Sequence, residues 1–550
     1  MKGGSRLQSA ATAAQGGTSH IEYPDWTIPE LLAQSASRYP DRRALRFFGR
    51  TMDYRHLQQE VDAFARGLLA LGLQTGDRVA LVLPNAPQFV IAYYGTLRAG
   101  GIVVATNPLY TPREFETQFQ DCKPAFVVAL DLVAQRVQGA LRGATLIVTR
   151  VRDYLPRSLA LLQRIAQPGP AVPDGTLSFR DVLHRGEAGA LPAAARADDL
   201  AVLQYTGGTT GTPKAAMLSH RNLVANALQC QGWMPEYRPG EERVLAVLPF
   251  FHVFGMTVGM NLGVLCAGEI DLVPRFVPGQ MAKEVRRFRP SFFPGAPALY
   301  ESVAGAPHAE RWNMRSIRYC ISGSAPLPLA LQERFERLTG GVLVEGYGLT
   351  EASPVTHCNP LQGMRKIGTV GLPFPDTEQR IVDPDDPSRE MPPGEPGELA
   401  VRGPQVMLGY YGRPEETARV LRDGWLLTGD IGVIDEDGFC RIVDRKKDLI
   451  IVSGFNVYPR EVEEVLLQCP GVKEAAVVGA PDEHRGQAVR AVLVPQDGVE
   501  LDLEQVRAFC REQLAGYKTP RQWEVRAELP RSAIGKVLRR ELVHETKEES

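Results

Sequence analysis

The 550-residue chain lacks the sequence signals of several common protein classes. Basic residues are in no excess, since 62 Lys and Arg stand against 64 Asp and Glu, so overall charge does not indicate nucleic-acid binding. The eight cysteines form no CxxC pair and the nine histidines no HExxH pair. A structural zinc site, a redox dithiol and a zinc hydrolase are therefore not indicated, and we expect buried, reduced thiols in a cytoplasmic protein.

Signals for export or membrane insertion are also weak. Residues 1–20 are rich in Gly, Ser, Ala, Thr and Gln and contain no apolar h-region, so we expect a disordered lead-in over residues 1–24. Residues 245–268 carry no charge and are long enough to span a bilayer, but Pro249, His252 and several glycines interrupt them. We expect a buried strand–turn–helix segment there instead.

The order of apolar runs predicts an α/β protein. Residues 78–83 read as a buried strand, residues 88–99 as a helix that two glycines end, and residues 102–105 as a second strand. A strand–helix–strand unit of this kind builds parallel sheets, and similar units recur at residues 125–130 and 145–151.

Length and local texture predict more than one domain, because a single core rarely extends beyond about 250–300 residues. Pro and Gly concentrate at residues 384–397, which indicates turns between β-rich segments. The charged run DRKKD at residues 444–448 lies where the pattern of predicted strands and helices changes, and it predicts a linker. We expect, in order, a large N-terminal domain of parallel and mixed sheets flanked by helices with a β-rich subdomain over residues 25–443, a linker at 444–449, and a small mobile α+β domain over 450–550.

The strongest chemical signal is a glycine- and threonine-rich loop, YTGGTTGTPK at residues 205–214. Glycines let backbone N–H groups approach an anion, hydroxyls add donors, and Lys214 supplies positive charge, so the loop predicts a phosphate-binding site. It is not a Walker A loop, because the lysine follows the last glycine by three residues. Ala215 also stands where a Ser or Thr would bind magnesium.

This loop resembles the signature of the adenylate-forming enzymes, which include acyl-CoA synthetases, adenylation domains of peptide synthetases and firefly-type luciferases. Further motifs of that family follow in order, so the resemblance covers about residues 25–542. They are LPFFH at 248–252, SGSAP at 322–326, GYGLTE at 346–351, GEL at 397–399, GWLLTGD at 424–430, DRKKD at 444–448 and PRSAIGK at 530–536. Within the family, GFNVYP at 454–459 is most similar to bacterial long-chain fatty acyl-CoA ligases.

The resemblance implies which residues bind the nucleotide. Tyr347 would stack on adenine, Thr350 would donate to a phosphate, and Glu351 would hold Mg²⁺. Asp430 would accept hydrogen bonds from both ribose hydroxyls, with Arg445 as a second ribose contact. The complete set implied for ATP or AMP is Thr206, Gly207, Gly208, Thr209, Thr210, Gly211, Lys214, Gly323, Ser324, Ala325, Glu345, Gly346, Tyr347, Gly348, Thr350, Asp430, Arg445 and Lys447.

The resemblance also implies a catalytic set of Lys536, Thr350, Glu351 and His252. Lys536 would contact the reacting carboxylate and the α-phosphate, where its charge offsets the repulsion between two anions. His252 would lie beside the carboxylate and the acyl chain, and a buried core histidine is the alternative.

Acyl and CoA positions follow from the same resemblance. Related long-chain enzymes can carry a tryptophan gate a few residues beyond this histidine, but the chain has Met256 near that point, so Phe254 or Met256 would replace the gate. Gly454 and Asn456 would line the pantetheine channel. Asp444 would be the hinge about which the small domain turns between the two steps.

Together these motifs predict ATP-dependent ligation of a fatty acid, long-chain by the same resemblance, to coenzyme A. The reaction would pass through an acyl-adenylate and release AMP and pyrophosphate, with Mg²⁺ as cofactor and ATP and CoA as substrates. Medium-chain and aryl-acid CoA ligases, an acyl-acyl carrier protein synthetase, a luciferase-like oxygenase and a P-loop ATPase forming ADP are the alternatives. No nucleic-acid partner is expected, while peripheral association with the inner membrane face and a homodimer are left open.

Overall fold

The computed structural model describes residues 20–166, 169–206, 213–452, 455–482, 485–531 and 537–544. These residues fall into two units. The first covers residues up to Glu378 and Arg402–Gly424, and the second covers Gln379–Val401 and the residues from Trp425 onward. The predicted linker at residues 444–449 lies within the second unit, and the predicted domain limits stay predictions.

The strands are numbered in chain order. They are β1 (Arg43–Phe47), β2 (Arg50–Asp53), β3 (Arg78–Val82), β4 (Ile102–Ala105), β5 (Phe126–Leu130), β6 (Thr145–Thr149), β7 (Leu177–Ser178), β8 (Leu200–Thr206), β9 (Lys214–Ser219), β10 (Arg243–Ala246), β11 (Glu269–Leu272), β12 (Tyr319–Ser322), β13 (Val342–Gly348), β14 (Val355–Cys358), β15 (Leu372–Pro373), β16 (Glu378–Val382), β17 (Gly397–Arg402), β18 (Gly409–Tyr410), β19 (Leu421–Arg422), β20 (Trp425–Ile434), β21 (Cys440–Arg445), β22 (Ile450–Val452), β23 (Phe455–Val457), β24 (Val472–Asp482), β25 (Gly486–Pro495) and β26 (Gln522–Val525).

The α-helices are numbered in the same way. They are α1 (Ile28–Arg38), α2 (Tyr54–Ala70), α3 (Pro87–Arg98), α4 (Pro112–Cys122), α5 (Asp131–Gln138), α6 (Arg157–Ala166), α7 (Phe179–Arg185), α8 (His220–Gly232), α9 (Leu262–Leu265), α10 (Pro278–Phe288), α11 (Pro297–Ala304), α12 (Leu329–Thr339), α13 (Pro414–Val420), α14 (Pro459–Leu466), α15 (Leu503–Gln513) and α16 (Arg539–His544). Short 3₁₀ segments lie at Val151–Tyr154, Ala309–Arg311 and Thr350–Ala352, and a π-helix at Gly255–Asn261.

The first unit is built on an eight-stranded mixed sheet in the order β18-β9-β8-β4-β3-β5-β6-β7. Strands β3 to β6 pair in parallel with their neighbours, and β8 is parallel to β4, whereas β9 returns antiparallel to β8. The predicted unit at residues 78–105 is present as β3, α3 and β4, in which every residue of β4 but the first is buried. The predicted α/β class is therefore confirmed.

Two smaller sheets complete the first unit, in the orders β10-β11-β1-β2 and β12-β13-β14-β15. Residues 245–268 run from the end of β10 through a turn into the π-helix and α9, and the π-helix is buried throughout. The strand–turn–helix prediction is thus confirmed. Among the residues described, no helix combines the length and apolarity needed to cross a bilayer.

The second unit contains β16, β17, β20 and β21 in one sheet, followed by an α+β part. In that part, β23-β22-β25-β24 form a sheet with β26 paired to β25, and α14 and α15 pack on it. Val462 and Leu466 of α14 and Val506 and Cys510 of α15 enter its core, because apolar residues at helical spacing share one face. This confirms the small α+β region after the charged run, and its mobility stays a prediction.

Candidate functional site

The nucleotide motifs SGSAP and GYGLTE meet at one edge of the sheet in the first unit. Strands β12 and β13 are parallel neighbours with Ser322 opposite Glu345, so Gly323, just after β12, and Gly346, still in β13, come next to each other. The buried Glu345 carboxylate accepts a hydrogen bond of 3.1 Å from Leu327 N–H and so fixes the loop that holds Ser324 and Ala325. Ligands bind at the carboxyl ends of parallel strands, where backbone groups are unpaired.

Tyr347 and Gly348 continue β13 beyond this edge. Tyr347 lies opposite His357 of β14, their rings 5.9 Å apart, and keeps part of its surface exposed. A side chain at Gly348 would collide with the carbonyl oxygen of Pro354, so glycine allows β13 and the following turn to approach. The exposed aromatic beside the Ser324 loop can stack on a base.

Phe254, two residues after the apolar motif LPFFH, comes to the same edge. A Cβ at Gly323 would lie only 2.8 Å from Cε1 of Phe254, so the ring packs on the backbone of the SGSAP loop. Phe254 keeps part of its surface accessible, whereas Met256, at the position considered for the gate, is fully buried. Of the two candidates for the acyl site, only Phe254 offers accessible surface in this structure.

His252 lies in the turn before the π-helix. Its N–H donates to the carbonyl of Pro249, and its carbonyl accepts from Met256 N–H at 2.9 Å. Its ring packs beside Phe251, with 5.0 Å between ring centroids, and no described residue makes a hydrogen bond to it. Desolvation lowers the pKa of His252 to about 4, so the ring is neutral near pH 7.

The imidazole of His252 is therefore expected to titrate well below the usual histidine range. An NMR pH titration, in which a His252→Gln variant assigns the ring resonances of His252, should give a midpoint near 4. Because the folded pKa lies below the ordinary 6.5, protonation opposes folding, and stability should fall as pH drops from about 6.5 toward 4. The Gln variant should lose that part of the pH dependence. A midpoint near 6.5 would show that the ring is hydrated and would contradict this environment.

The phosphate loop is closed at its base by paired strands. Thr206 at the end of β8 lies opposite Lys214 at the start of β9, so the loop is a hairpin connection. Gly207, Gly208, Thr209, Thr210 and Gly211 lie outside the described residues. The ammonium group of Lys214 forms an ion pair with Glu416 and lies 5.4 Å from the centre of the Tyr410 ring.

Glu351 belongs to the same cluster. The hydroxyl of Tyr410 donates a hydrogen bond of 2.7 Å to Oε1 of Glu351, and Met407 N–H donates to its carbonyl oxygen. Tyr410 is brought there because β18 pairs with β9, Tyr410 lying opposite Ala216. Burial, the Glu351 charge and this hydrogen bond all raise the pKa of Tyr410, so it stays a donor. Thr350 precedes Glu351 in the 3₁₀ segment and keeps part of its surface accessible.

These contacts were not predicted from the sequence. Tyr410 and Glu416 lie in no motif that we recognised, and each is separated from its partner by many residues. Only the pairing of β18 with β9 brings them close, and a two-residue strand gives no periodic signal.

The Glu351 carboxylate suits one kind of metal site. Mg²⁺ in phosphate-binding enzymes takes one or two carboxylates and draws its other ligands from phosphate oxygens and water. The part of the chain that the structure describes contains no group of three or more His, Cys, Asp or Glu side chains able to hold a metal by themselves. A single carboxylate oriented by Tyr410 fits the phosphate-shared type.

In the second unit, Asp430 and Arg445 form a paired cluster. They lie opposite each other on β20 and β21, with 3.0 Å between Nε of Arg445 and Oδ1 of Asp430. Asp430 is buried, and its N–H donates to the hydroxyl oxygen of Thr428 at 3.2 Å. Gly429 between them has φ of 72° and donates its N–H to Glu398. Hydrogen bonds on both sides of Gly429 therefore fix this turn within β20 and set the Asp430 carboxylate beside the Arg445 guanidinium.

Residues of the charged run hold this turn from the other strand. Lys446 N–H donates to the carbonyl of Gly429, and its ammonium pairs with Glu398 at 3.0 Å. Lys447 lies 4.0 Å from Asp448, and burial lowers the pKa of its ammonium group. Lys447 is thus a partly desolvated cation that pairs with Asp448.

Asp444 is buried at the end of β21, although the sequence placed it in a linker. Its carboxylate accepts hydrogen bonds of 2.7 Å from the N–H groups of Arg445 and of Arg460 in α14. Arg539 lies 3.8 Å away and also binds Glu463 with two hydrogen bonds. Burial raises the pKa of Asp444 against these contacts.

Two residues of the implied CoA and catalytic sets cannot be located. Gly454 and Lys536 lie outside the described residues. Asn456 is exposed in β23, paired with Ile451. On either side of Lys536, Arg531 pairs with Val537 in an isolated bridge, and Arg531 forms an ion pair with Glu474.

Comparison with known proteins gives these motifs a family. The family model described as AMP-binding enzyme matches residues 32–411, and the model described as AMP-binding enzyme C-terminal domain matches residues 461–536. The chain is 44% identical over 541 residues to the long-chain-fatty-acid–CoA ligase of Bacillus subtilis, with 96% of each chain covered. It is 42% identical to the protein of that name from Escherichia coli O6:H1, with 95% of each covered.

Solved structures agree with the family. The ATP-bound crystal structure of MatB from Rhodopseudomonas palustris aligns with TM-score 0.84 and 32% identity, covering 95% of this chain and 100% of that one. The anthranilate CoA ligase AuaEII, in complex with anthranoyl-AMP, aligns with TM-score 0.84 and 26% identity, covering 96% and 98%. The chain belongs to the AMP-binding enzyme family, the adenylate-forming superfamily that its ordered motifs predicted.

Proposed function

We propose that this chain ligates a long-chain fatty acid to coenzyme A through an acyl-adenylate, with release of AMP and pyrophosphate. The observation that carries the proposal is the meeting of three features at the ends of β12 and β13. These features are the Ser324 loop, the exposed Tyr347 ring and the Phe254 ring packed on Gly323. A sheet edge that can bind a nucleotide, with an apolar segment beside it, can hold ATP next to an apolar carboxylic acid that is to be activated. The names of the similar ligases support the acid class.

In this proposal, the first unit binds the adenine, the phosphates and the acyl group. Tyr347 stacks on adenine, and the loop that ends at Lys214 holds the phosphates. When ATP binds, the Lys214 ammonium group moves from Glu416 to the phosphates, because the triphosphate carries more negative charge than one carboxylate. Glu351 holds Mg²⁺, which supplies positive charge to the phosphates when bound. Phe254 and neutral His252 contact the carboxylate end of the fatty acid. Because the imidazole is uncharged, it does not compete with the cations of the site for the carboxylate.

Residues of the second unit complete the reaction. Asp430 accepts hydrogen bonds from both ribose hydroxyls, Arg445 is the second ribose contact beside it, and Lys447 adds positive charge. Lys536 pairs with the reacting carboxylate and the α-phosphate, so that the oxygen of one anion can reach the phosphorus of the other. Attack of the fatty carboxylate forms the acyl-phosphate bond as the bond to pyrophosphate breaks. The CoA thiolate then forms the thioester and releases AMP.

We also propose residues 444–449 as the hinge between these steps, with Gly454 and Asn456 beside the pantetheine. The support is that the Asp444 carboxylate accepts hydrogen bonds from two backbone N–H groups, one inside this segment at Arg445 and one beyond it at Arg460. Proline at Asp444 would fix φ and remove those bonds. An Asp444→Pro variant that stays folded should therefore lose thioester formation more than adenylation, and full turnover by it would contradict the hinge.

The central experiment is an acid panel measured by ATP–pyrophosphate exchange, with and without CoA. We expect exchange only with an acid, AMP and pyrophosphate as products, highest rates with long-chain fatty acids, and thioester only with CoA. ADP and phosphate formed without acid would overturn the proposal in favour of an ATPase. A preference for medium-chain or aryl acids would change the proposed acid substrate. Thioester formed only on an acyl carrier protein would change the proposed thiol acceptor. Peripheral membrane association and a homodimer stay predictions, and the first is developed next.

A further inference from the structure

Helix α6 (Arg157–Ala166) is amphipathic, but its apolar side faces outward. Leu159, Leu161, Leu162 and Ile165 are 41%, 60%, 62% and 74% exposed. At 100° per residue these four share one arc of the helix, the arc that a surface helix normally buries. On the opposite side, Ala160 and Gln163 are half-buried, and the amide oxygen of Gln163 is inaccessible to solvent.

The charge within the segment of the chain that contains this helix has one sign. Residues 154–173 contain no Asp or Glu. Arg157 and Arg164 are exposed, lie on the border of the apolar arc, and have no ion-pair partner among the residues that the structure describes. An exposed apolar arc bordered by arginines has the composition of helices that lie in the headgroup region of a bilayer.

The turn between β1 and β2 extends the same surface. Arg50 donates to the carbonyl oxygens of Asp153 and Leu155, immediately before α6, and its guanidinium lies 5.7 Å from the Tyr154 ring centre. Phe48 in this turn is 44% exposed with φ of 48°.

A further arginine adjoins this turn. A Cβ at Gly49 would lie 2.6 Å from Nη2 of Arg287, so that exposed side chain is also adjacent. An aromatic ring and two more arginines therefore lie in or beside the β1–β2 turn, and Arg50 joins this turn to the residues before the helix.

We propose that α6 and the β1–β2 turn, here called the basic-apolar face, dock on the surface of an anionic lipid bilayer. Aliphatic side chains would enter the boundary of the acyl region while arginines contact acidic headgroups. A second copy of this chain fits less well, because matching apolar arcs would bring the arginines of both copies together. The inference deepens the proposed function and rests on it, since long-chain fatty acids partition into membranes.

The test uses the full chain and sedimentation with vesicles of phosphatidylcholine, with or without phosphatidylglycerol. Wild type is expected to sediment with the vesicles that contain phosphatidylglycerol. A Leu162→Ser/Ile165→Ser variant should bind them about tenfold more weakly or worse, since it loses the two most exposed aliphatic groups. Leu467→Ser/Val525→Ser, which changes two exposed aliphatic residues of the second unit, is the matched control and should bind like wild type.

The charge is tested separately. Arg157→Gln/Arg164→Gln should weaken binding at low salt and leave little difference at high salt, because salt screens the headgroup attraction. If wild type does not sediment with the vesicles, or if the variants bind them as tightly as wild type, the proposal that the basic-apolar face docks on a bilayer is wrong. Loss of a dimer in the Leu162→Ser/Ile165→Ser variant without lipid, with unchanged vesicle binding, would assign the face to a second copy instead.

Activity separates this inference from the proposed function. With a fatty acid short enough to stay in solution, AMP formation should be the same in wild type and in every variant of the basic-apolar face. With a long-chain acid supplied in anionic vesicles, the apparent KM of the Leu162→Ser/Ile165→Ser variant for that acid should be higher than that of wild type, while kcat should be unchanged. Absence of acid-dependent AMP in wild type would instead remove the proposed function, whatever the vesicle result.

Discussion

Replacing Lys536 with alanine is expected to slow acyl-adenylate formation by about 100- to 1000-fold, the usual effect of removing one group that stabilises charge in a transition state. The reacting carboxylate and the triphosphate repel each other, and Lys536 is the cation assigned to both. Thioester formation from supplied acyl-adenylate and CoA should stay near the wild-type rate, because Lys536 is assigned to the carboxylate and α-phosphate of the first step only. Rapid-quench measurement of pyrophosphate in the first half-reaction and of AMP in the second checks both parts.

The matched control is Lys473→Ala, which removes an exposed lysine of the same unit whose ammonium group forms an ion pair of 2.9 Å with the exposed Asp497. It should change neither half-reaction by more than about twofold, since exposed ion pairs contribute roughly 0–1 kcal/mol. Equal loss of both half-reactions in Lys536→Ala would show a general structural defect. Normal adenylation in that variant would assign the charge to another group.

The sequence predicted the fold most reliably where strands are buried on both faces. Continuous apolar runs such as β3 and β5 have few alternatives to a central parallel strand, and both were located within one residue. The short strand β18 could not be predicted. It has two residues and no periodicity, yet its pairing with β9 places Tyr410 on Glu351.

Periodicity identified helices without showing which side packs. The apolar residues of α14 are buried in the core of the second unit, as their spacing indicates. Helix α6 has the same kind of spacing, but its Leu and Ile side chains face solvent. The difference depends on the neighbouring elements, which spacing along one helix does not contain.

The candidate site was predictable as a set of motifs and less so as a set of contacts. Glycines and carboxylates in fixed order indicated nucleotide chemistry, and β12 and β13 bring two of those motifs together. The choice between Phe254 and Met256 could not be made from sequence, because both are apolar and lie two residues apart. The turn through His252 decides it by burying Met256 and directing Phe254 against Gly323.

Replacing Asp430 with alanine is expected to raise the KM and Kd for ATP by roughly 100-fold while the fold is kept. The carboxylate is assigned two hydrogen bonds to ribose hydroxyls, and a hydrogen bond to a charged group is worth roughly 1.5–3 kcal/mol. The lower part of the range applies because Arg445, at 3.0 Å, already shares that charge. Calorimetric titration with ATP and exchange rates at varied ATP give the two constants.

Asp430→Asn should lose less ATP affinity than Asp430→Ala, because the amide oxygen still accepts one hydrogen bond from ribose. The matched control is Glu436→Ala, an exposed acidic residue on the turn that joins β20 to β21, and its ATP affinity should be that of wild type. A triphosphate without ribose should bind wild type and Asp430→Ala equally, since the assigned contact is to the sugar. Unchanged ATP affinity in a folded Asp430→Ala variant, or equal weakening of the ribose-free triphosphate, would remove the ribose assignment.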